Sequence, residues 1–246
     1  MENLFSLQGK HILVTGASSG MGRVFSRMIS SQGGRVTLLA RNEERLNETL
    51  ESMDGSGHSV LVCDLTDEEQ LKEAASQTEP LDGIVFSAGI NEFVPVKYVK
   101  QEKIDKLFQT NYFSQLILLQ MLLKKKLVNK GASIVFISSV SSEMGIPGTL
   151  LYASSKGAIN SAVRVLASEL SPRNIRVNAI LPGIVRTEML AGTNVSEEQF
   201  TEQEEQYPLG LGTPEDVGYA VIYHLSDASR WLTGQSMVLD GGLTLK

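Results

Sequence analysis

Short, continuously apolar runs alternate with helix-like segments from one end of this 246-residue chain to the other. That alternation limits the possible folds more than any other feature. The runs are His11–Thr15, Arg35–Ala40, Ser59–Cys63, Gly83–Phe86, Ser133–Ile137, Arg176–Ile180 and Ser236–Leu239. A strand with one face in water alternates apolar and polar residues, whereas a strand covered on both faces is apolar throughout. Helical segments are expected at Gly20–Gln32, Glu43–Met53, Asp67–Gln77, Glu102–Leu127 and Thr149–Leu170, the fourth changing character at Thr110-Asn111-Tyr112. Buried strands separated by helices of this length imply right-handed βαβ units. The expected fold is α/β, a doubly wound parallel sheet of about seven strands with helices on both faces. No proline-rich or low-complexity linker interrupts it, so residues 1–246 are read as one domain.

Composition excludes several function classes. With 28 acidic and 22 basic residues the net charge is −6, which argues against sequence-independent nucleic-acid binding. Cys63 is the sole cysteine, so no internal disulfide forms, and its apolar strand setting reads as packing. His11, His58 and His224 share no ligand spacing, so no metal site is expected. No apolar run approaches the roughly 20 residues needed to span a bilayer, and Met1–Gln8 has no signal-peptide pattern. A cytoplasmic location is the expectation.

The turn after the first run reads Thr15-Gly16-Ala17-Ser18-Ser19-Gly20-Met21-Gly22. Small residues between a strand and a helix let backbone N–H groups approach a pyrophosphate. The Gly-x-x-x-Gly-x-Gly spacing differs from the commoner Gly-x-Gly-x-x-Gly, but its place inside a βαβ unit is right. Gly16, Ser18, Ser19, Gly20, Met21 and Gly22 are therefore candidate dinucleotide-binding residues. The second strand ends Leu39-Ala40-Arg41-Asn42, without the carboxylate that would bind the ribose 2′-hydroxyl of NAD. Arg41, with Ser18 beside it, suits a 2′-phosphate, so NADP(H) is expected over NAD(H).

Farther along, Tyr152-Ala153-Ser154-Ser155-Lys156 places a phenol and an ammonium one helical turn apart. An ammonium there favours the phenolate, tuning Tyr152 to exchange a proton with a carbonyl or alcohol oxygen. A serine hydroxyl beside it would hold that oxygen. The polar segment Glu188–Tyr207 follows a strand's carboxyl end, and residues 188–207 are read as a flap over the pocket.

In this order the motifs resemble the short-chain dehydrogenase/reductase family, in its branch of short subunits, and most nearly its 3-oxoacyl-[acyl-carrier-protein] reductases. The resemblance covers essentially the whole chain and implies a Rossmann-type fold. It implies a catalytic tetrad of Asn111, Ser139, Tyr152 and Lys156, with Ser139 selected from Ser138-Ser139-Val140-Ser141-Ser142 by its spacing to Tyr152. Tyr152 would be the general acid/base and Ser139 would hold the substrate oxygen. Lys156 would also bond the nicotinamide ribose, and Asn111 would maintain a bent helix and a proton-relay water. Cofactor contacts are implied at Asp64 and Leu65 (adenine), at Ser87-Ala88-Gly89, where serine replaces the family's asparagine, and at Pro182, Gly183, Val185 and Thr187 (nicotinamide).

The activity implied is hydride transfer between NADP(H) and a carbonyl or secondary alcohol, reducing a ketone or a 3-oxoacyl thioester. The alternatives are a sugar or polyol dehydrogenase of the same family, an epimerase of its extended branch, or a non-catalytic dinucleotide-binding regulator. Val140, Ile146, Leu150, Leu190 and Phe200 are expected at a moderately apolar pocket mouth. Lys124-Lys125-Lys126, Lys130 and Arg173 are candidates for docking an acidic acyl carrier protein there. The resemblance also implies a homotetramer built through Glu102–Leu127, Thr149–Leu170 and the tail Trp231–Lys246.

Overall fold

The computed structural model describes residues 3–187 and 202–245. Seven parallel strands form one sheet: β1 (His11–Thr15), β2 (Arg35–Ala40), β3 (Ser59–Val62), β4 (Leu81–Phe86), β5 (Val128–Ile137), β6 (Arg176–Pro182) and β7 (Ser236–Leu239). Their spatial order is β3-β2-β1-β4-β5-β6-β7. The order reverses between β1 and β4, and in such sheets ligands bind at the carboxyl ends of the strands beside that reversal. The register is continuous there, with Thr15 opposite both Leu39 and Phe86.

Connecting helices cover both faces: α1 (Gly20–Ser31), α2 (Glu43–Glu51), α3 (Glu68–Gln77), α4 (Gln101–Phe108), α5 (Ser114–Lys124), α6 (Leu150–Leu170) and α7 (Pro214–Leu225). Successive strand side chains point to opposite faces. Along β1, Leu13 accordingly packs with Leu118, Val163 and others on the α3–α5–α6 side. Ile12 and Val14 join Phe25, Ile29, Val217 and Val221 on the α1–α7 side. Phe86 and Phe136, neighbours on β4 and β5, stack with ring centroids 4.7 Å apart.

Several boundaries differ from the sequence expectations, each for a local reason. Asp67 lies just outside α3, accepting the backbone N–H groups of Glu69 and Gln70 as its N-cap. α2 stops at Glu51 and Ser52 caps it, short of Met53. β5 begins five residues early because Val128 pairs with Leu81 across a register shift that absorbs the polar stretch 129–132. Helix α7 has no counterpart in the sequence reading. It starts at a capping box in which the Thr213 hydroxyl accepts the Asp216 N–H, the Asp216 carboxylate accepts the Thr213 N–H, and Pro214 opens the first turn. No helix among the described residues is long and apolar enough to cross a membrane.

Candidate active site

The tips of β1 and β4 are tied together by one hydroxyl. Buried Thr15 Oγ1 accepts the N–H groups of Ser87 and Ala88, each at 3.1 Å. This brings Gly16 against the Ser87-Ala88-Gly89 turn. Gly16 has φ +70°, and a Cβ on it would lie 3.0 Å from Ala88 N and Cα, so both conformation and space require glycine. One turn into α1, Gly22 rests on the Gly16 carbonyl, where a Cβ would run into the backbone. Ser19, the extended N-cap of α1, gives its hydroxyl to no capping bond, and the first turn holds no acidic residue. The helix start is thus open to an anion.

Beyond the carboxyl end of β2, Arg41 Nη1 lies 3.7 Å from Asp64 Oδ2, a pair in which Arg41 is largely exposed. Two residues expected to contact different parts of a cofactor thus face each other directly. An exposed pair of this kind contributes at most about 1 kcal/mol, so the guanidinium is readily drawn to a phosphate. Asn42 caps α2 by accepting the Arg45 N–H at 2.9 Å, and Arg45 lines the cleft beside Arg41. Leu65 is buried at the same end.

At the other end, α6 carries Tyr152 and Lys156 on one face, with Lys156 Nζ 5.7 Å from the Tyr152 ring centroid. Lys156 is buried and donates to the carbonyl of Ile137, the last residue of β5, at 2.8 Å. Ser139 follows two residues later and lies beside the Tyr152 phenol, where its hydroxyl favours the phenolate. Its Oγ accepts the Ser141 N–H at 3.1 Å. Ser138 Oγ instead donates to the Lys156 carbonyl inside the protein. Among the serines of this loop, Ser139 is the one whose hydroxyl acts on the Tyr152 phenol.

Burial raises the Tyr152 phenol above its ordinary value, and the Ser139 hydroxyl only partly offsets this. The lowering expected from Lys156 is therefore corrected: burial sets the direction, and Lys156 is not among its causes. Burial also pulls Lys156 down to about 8. Proximity along the helix shows in the sequence; the desolvation acting against it does not.

Asn111 sits in a single π-helical turn, Gln109–Phe113, between α4 and α5, which is the change of character noted in the sequence. Its side chain does not bond back to its own turn. Oδ1 accepts the Ile90 N–H at 2.8 Å, and Nδ2 donates to the Ile90 carbonyl at 2.9 Å and to Ser155 Oγ at 3.1 Å. Asn111 and Lys156 converge on Gly89, where a Cβ would lie 3.4 Å from both Asn111 Oδ1 and Lys156 Nζ.

A continuous cleft of about 2330 Å³ joins the two ends. It is lined by the glycine turn after β1, Arg41, Asp64, Leu65, Ser87–Gly89, Ser139, Tyr152, Pro182, Gly183, Val185 and Thr187. Asn111 and Lys156 lie behind its wall, buried. Val140 and Ile146 line it, whereas Leu150 is an exposed residue of α6 that does not. Leu190 and Phe200 lie outside the described residues, as does most of the expected flap. Of that segment, residues 202–207 are described: Gln203, Gln206 and Tyr207 line the cleft, and Tyr207 is buried.

The basic cluster is a second correction. Lys124–Lys126 end α5 and precede β5, and Arg173 donates to the Val128 carbonyl at the start of β5. They and Lys130 are therefore at the amino edge of the sheet, opposite the cleft, and none lines it. Two site residues escaped the sequence reading. Gln115 Nε2 holds the Ala88 carbonyl at 2.8 Å, bracing the turn where serine replaces asparagine. Tyr207 accepts the Ile184 N–H at 2.9 Å.

These features have close parallels. A family model described as enoyl-(acyl carrier protein) reductase matches residues 16–244. The 3-oxoacyl-[acyl-carrier-protein] reductase FabG of Rickettsia conorii is 32% identical over 243 residues, covering 98% of this chain and all of that one. Carbonyl reductase family member 4 of Danio rerio is 34% identical over 238 residues, covering 95% and 97% of the two chains. A solved structure from Agrobacterium tumefaciens, a candidate 2-deoxy-D-gluconate 3-dehydrogenase with bound NADP, superimposes with TM-score 0.88 at 27% identity over the whole of both chains. The chain belongs to the short-chain dehydrogenase/reductase family, a family of nicotinamide-dependent oxidoreductases.

Proposed function

We propose that this protein reduces a ketone or a 3-oxoacyl thioester with NADPH, Tyr152 acting as general acid. The observation that carries the reading is the convergence of Ser139, Tyr152, Lys156 and Asn111 at one end of a cleft whose other end holds a glycine cradle and Arg41. Gly16–Gly22 and the α1 N-terminus would hold the pyrophosphate, Arg41 and Ser18 the 2′-phosphate, and Asp64 and Leu65 the adenine. Ser87–Gly89 and Pro182–Thr187 would flank the nicotinamide half. Bound there, NADPH supplies a hydride to the carbonyl carbon.

The protein's own part is to orient the carbonyl and move a proton. Ser139 Oγ–H donates to the carbonyl oxygen, and the Tyr152 O–H protonates that oxygen as negative charge builds on it. A phenol held in its protonated form by burial suits the acid role in the reducing direction. Lys156, fixed by the Ile137 carbonyl, places a positive charge beside the phenolate that remains. Asn111 holds the Ile90 backbone and so the turn around Gly89.

The names of the Rickettsia and Danio relatives support an acyl thioester or ketone. With the basic cluster on the opposite edge, an acyl carrier protein as presenter rests on those names. A sugar or polyol substrate is the second reading, favoured by Gln109, Thr110, Gln203 and Gln206 on the cleft wall. A homotetramer is proposed with it: Val165 on α6 and Trp231 and Leu245 in the tail are exposed apolar groups on the expected contact elements.

Titration with NADP and NAD side by side tests the cofactor assignment. NADP is expected to bind more tightly. A charge-assisted contact stabilises by about 1.5–3 kcal/mol, so Arg41→Ala should weaken NADP binding roughly ten- to hundredfold and leave NAD nearly unchanged. Equal losses for both would refute the role given to Arg41.

A further inference from the structure

Tyr207 does more than fill space. Its ring edge sits between two glycines. A Cβ on Gly183 would lie 2.8 Å from Tyr207 Cε1, and one on Gly241 would lie 3.5 Å from Cδ1. Its hydroxyl accepts the Ile184 N–H at 2.9 Å, and its own carbonyl accepts the Gly210 N–H at 3.0 Å. Around this ring several chain segments are fastened together. Gly183 N–H bonds the Leu239 carbonyl, Gly212 N–H bonds the Ile184 carbonyl, and Leu209 N–H bonds the Gly241 carbonyl. The backbone so held, Pro182–Val185, leaves the carboxyl end of β6, the neighbour of β5, which delivers Ser139. It forms the cleft wall at the end where Tyr152 lies, far along the cleft from the glycine cradle.

We propose that Tyr207 is a positioning residue: its hydroxyl fixes the Ile184 amide, and through it the wall against which the reacting half of the dinucleotide lies. This rests on the NADP(H) reading above. The phenol burial is compatible with a hydroxyl kept protonated as a hydrogen-bonding group, because burial raises its pKa. Removing the hydroxyl frees an amide at the reacting end and touches nothing at the phosphate end.

The test is Tyr207→Phe, which keeps the ring in its slot. Two probes are titrated into wild type and variant: NADPH, and 2′,5′-ADP, which lacks the nicotinamide half. Loss of one buried hydrogen bond predicts NADPH binding weakened about three- to tenfold, with 2′,5′-ADP binding unchanged. Turnover at saturating NADPH should also fall several-fold while the thermal midpoint moves little. Unchanged NADPH affinity and turnover would overturn the proposal, as would equal weakening of both probes, which marks a general structural role. Wild-type protein that binds neither probe would overturn the cofactor reading, and this proposal with it.

Discussion

Tyr152→Phe should lower turnover by about a thousandfold, within the range of roughly 10²- to 10⁴-fold that a positioned general acid contributes. The phenol lines the cleft beside Ser139, so removal of its hydroxyl leaves the wall and the phosphate end intact. NADPH affinity should therefore change less than about twofold, a split between turnover and binding that marks an interaction made in the transition state. Stopped-flow single turnovers with saturating NADPH check this. Turnover within a factor of ten of wild type would mean that another group supplies the proton.

Asn111→Ala should be the most damaging of the proposed substitutions for stability. The side chain is fully buried and makes three hydrogen bonds, two of them to the backbone of Ile90. Alanine removes the bonds and leaves the partly buried Ile90 N–H and carbonyl without these partners, at about 1–3 kcal/mol for each that stays unpaired. It also removes the side chain that ties the π-helical turn to Ile90 and Ser155. We expect a loss of about 3 kcal/mol in urea unfolding, and a midpoint lower by roughly 6–12 °C. Activity should fall as well, since Gly89 and Lys156 lean on the same turn. A variant as stable as wild type would show that Ile90 finds other partners.

The strands were legible because a sheet covered on both faces demands continuous apolar runs, and these runs are short and bounded by glycine and polar residues. The glycine turn after β1 was legible as a turn because its residues are contiguous: Gly16 and Gly20 take positive φ, and Gly22 packs on Gly16 six residues away. What escaped depends on partners distant in sequence. Gln115 bonds Ala88 from 27 residues away and Tyr207 bonds Ile184 from 23. Each is one polar residue with no spacing to announce it. Helix α7 did announce itself, through Thr213, Pro214 and Asp216, but its apolar positions 217, 221, 222 and 225 sit in a tail rich in loops. The lysine cluster misled because closeness to a helix end says nothing about which edge of the sheet that end reaches. The Tyr152 phenol misled in sign, because the sequence displays its charged neighbour and hides the burial that dominates.

Reduction of a carbonyl in this cleft at the expense of NADPH is the proposed activity. Oxidation of NADPH followed at 340 nm, with a panel spanning simple ketones, 3-oxoacyl thioesters and keto sugars, tests it most directly. At least one of these carbonyls should be reduced by the wild-type protein, and by the Tyr152→Phe protein hardly at all. Wild-type protein that binds NADPH yet reduces none of the panel would contradict the account and leave a dinucleotide-binding fold without this chemistry.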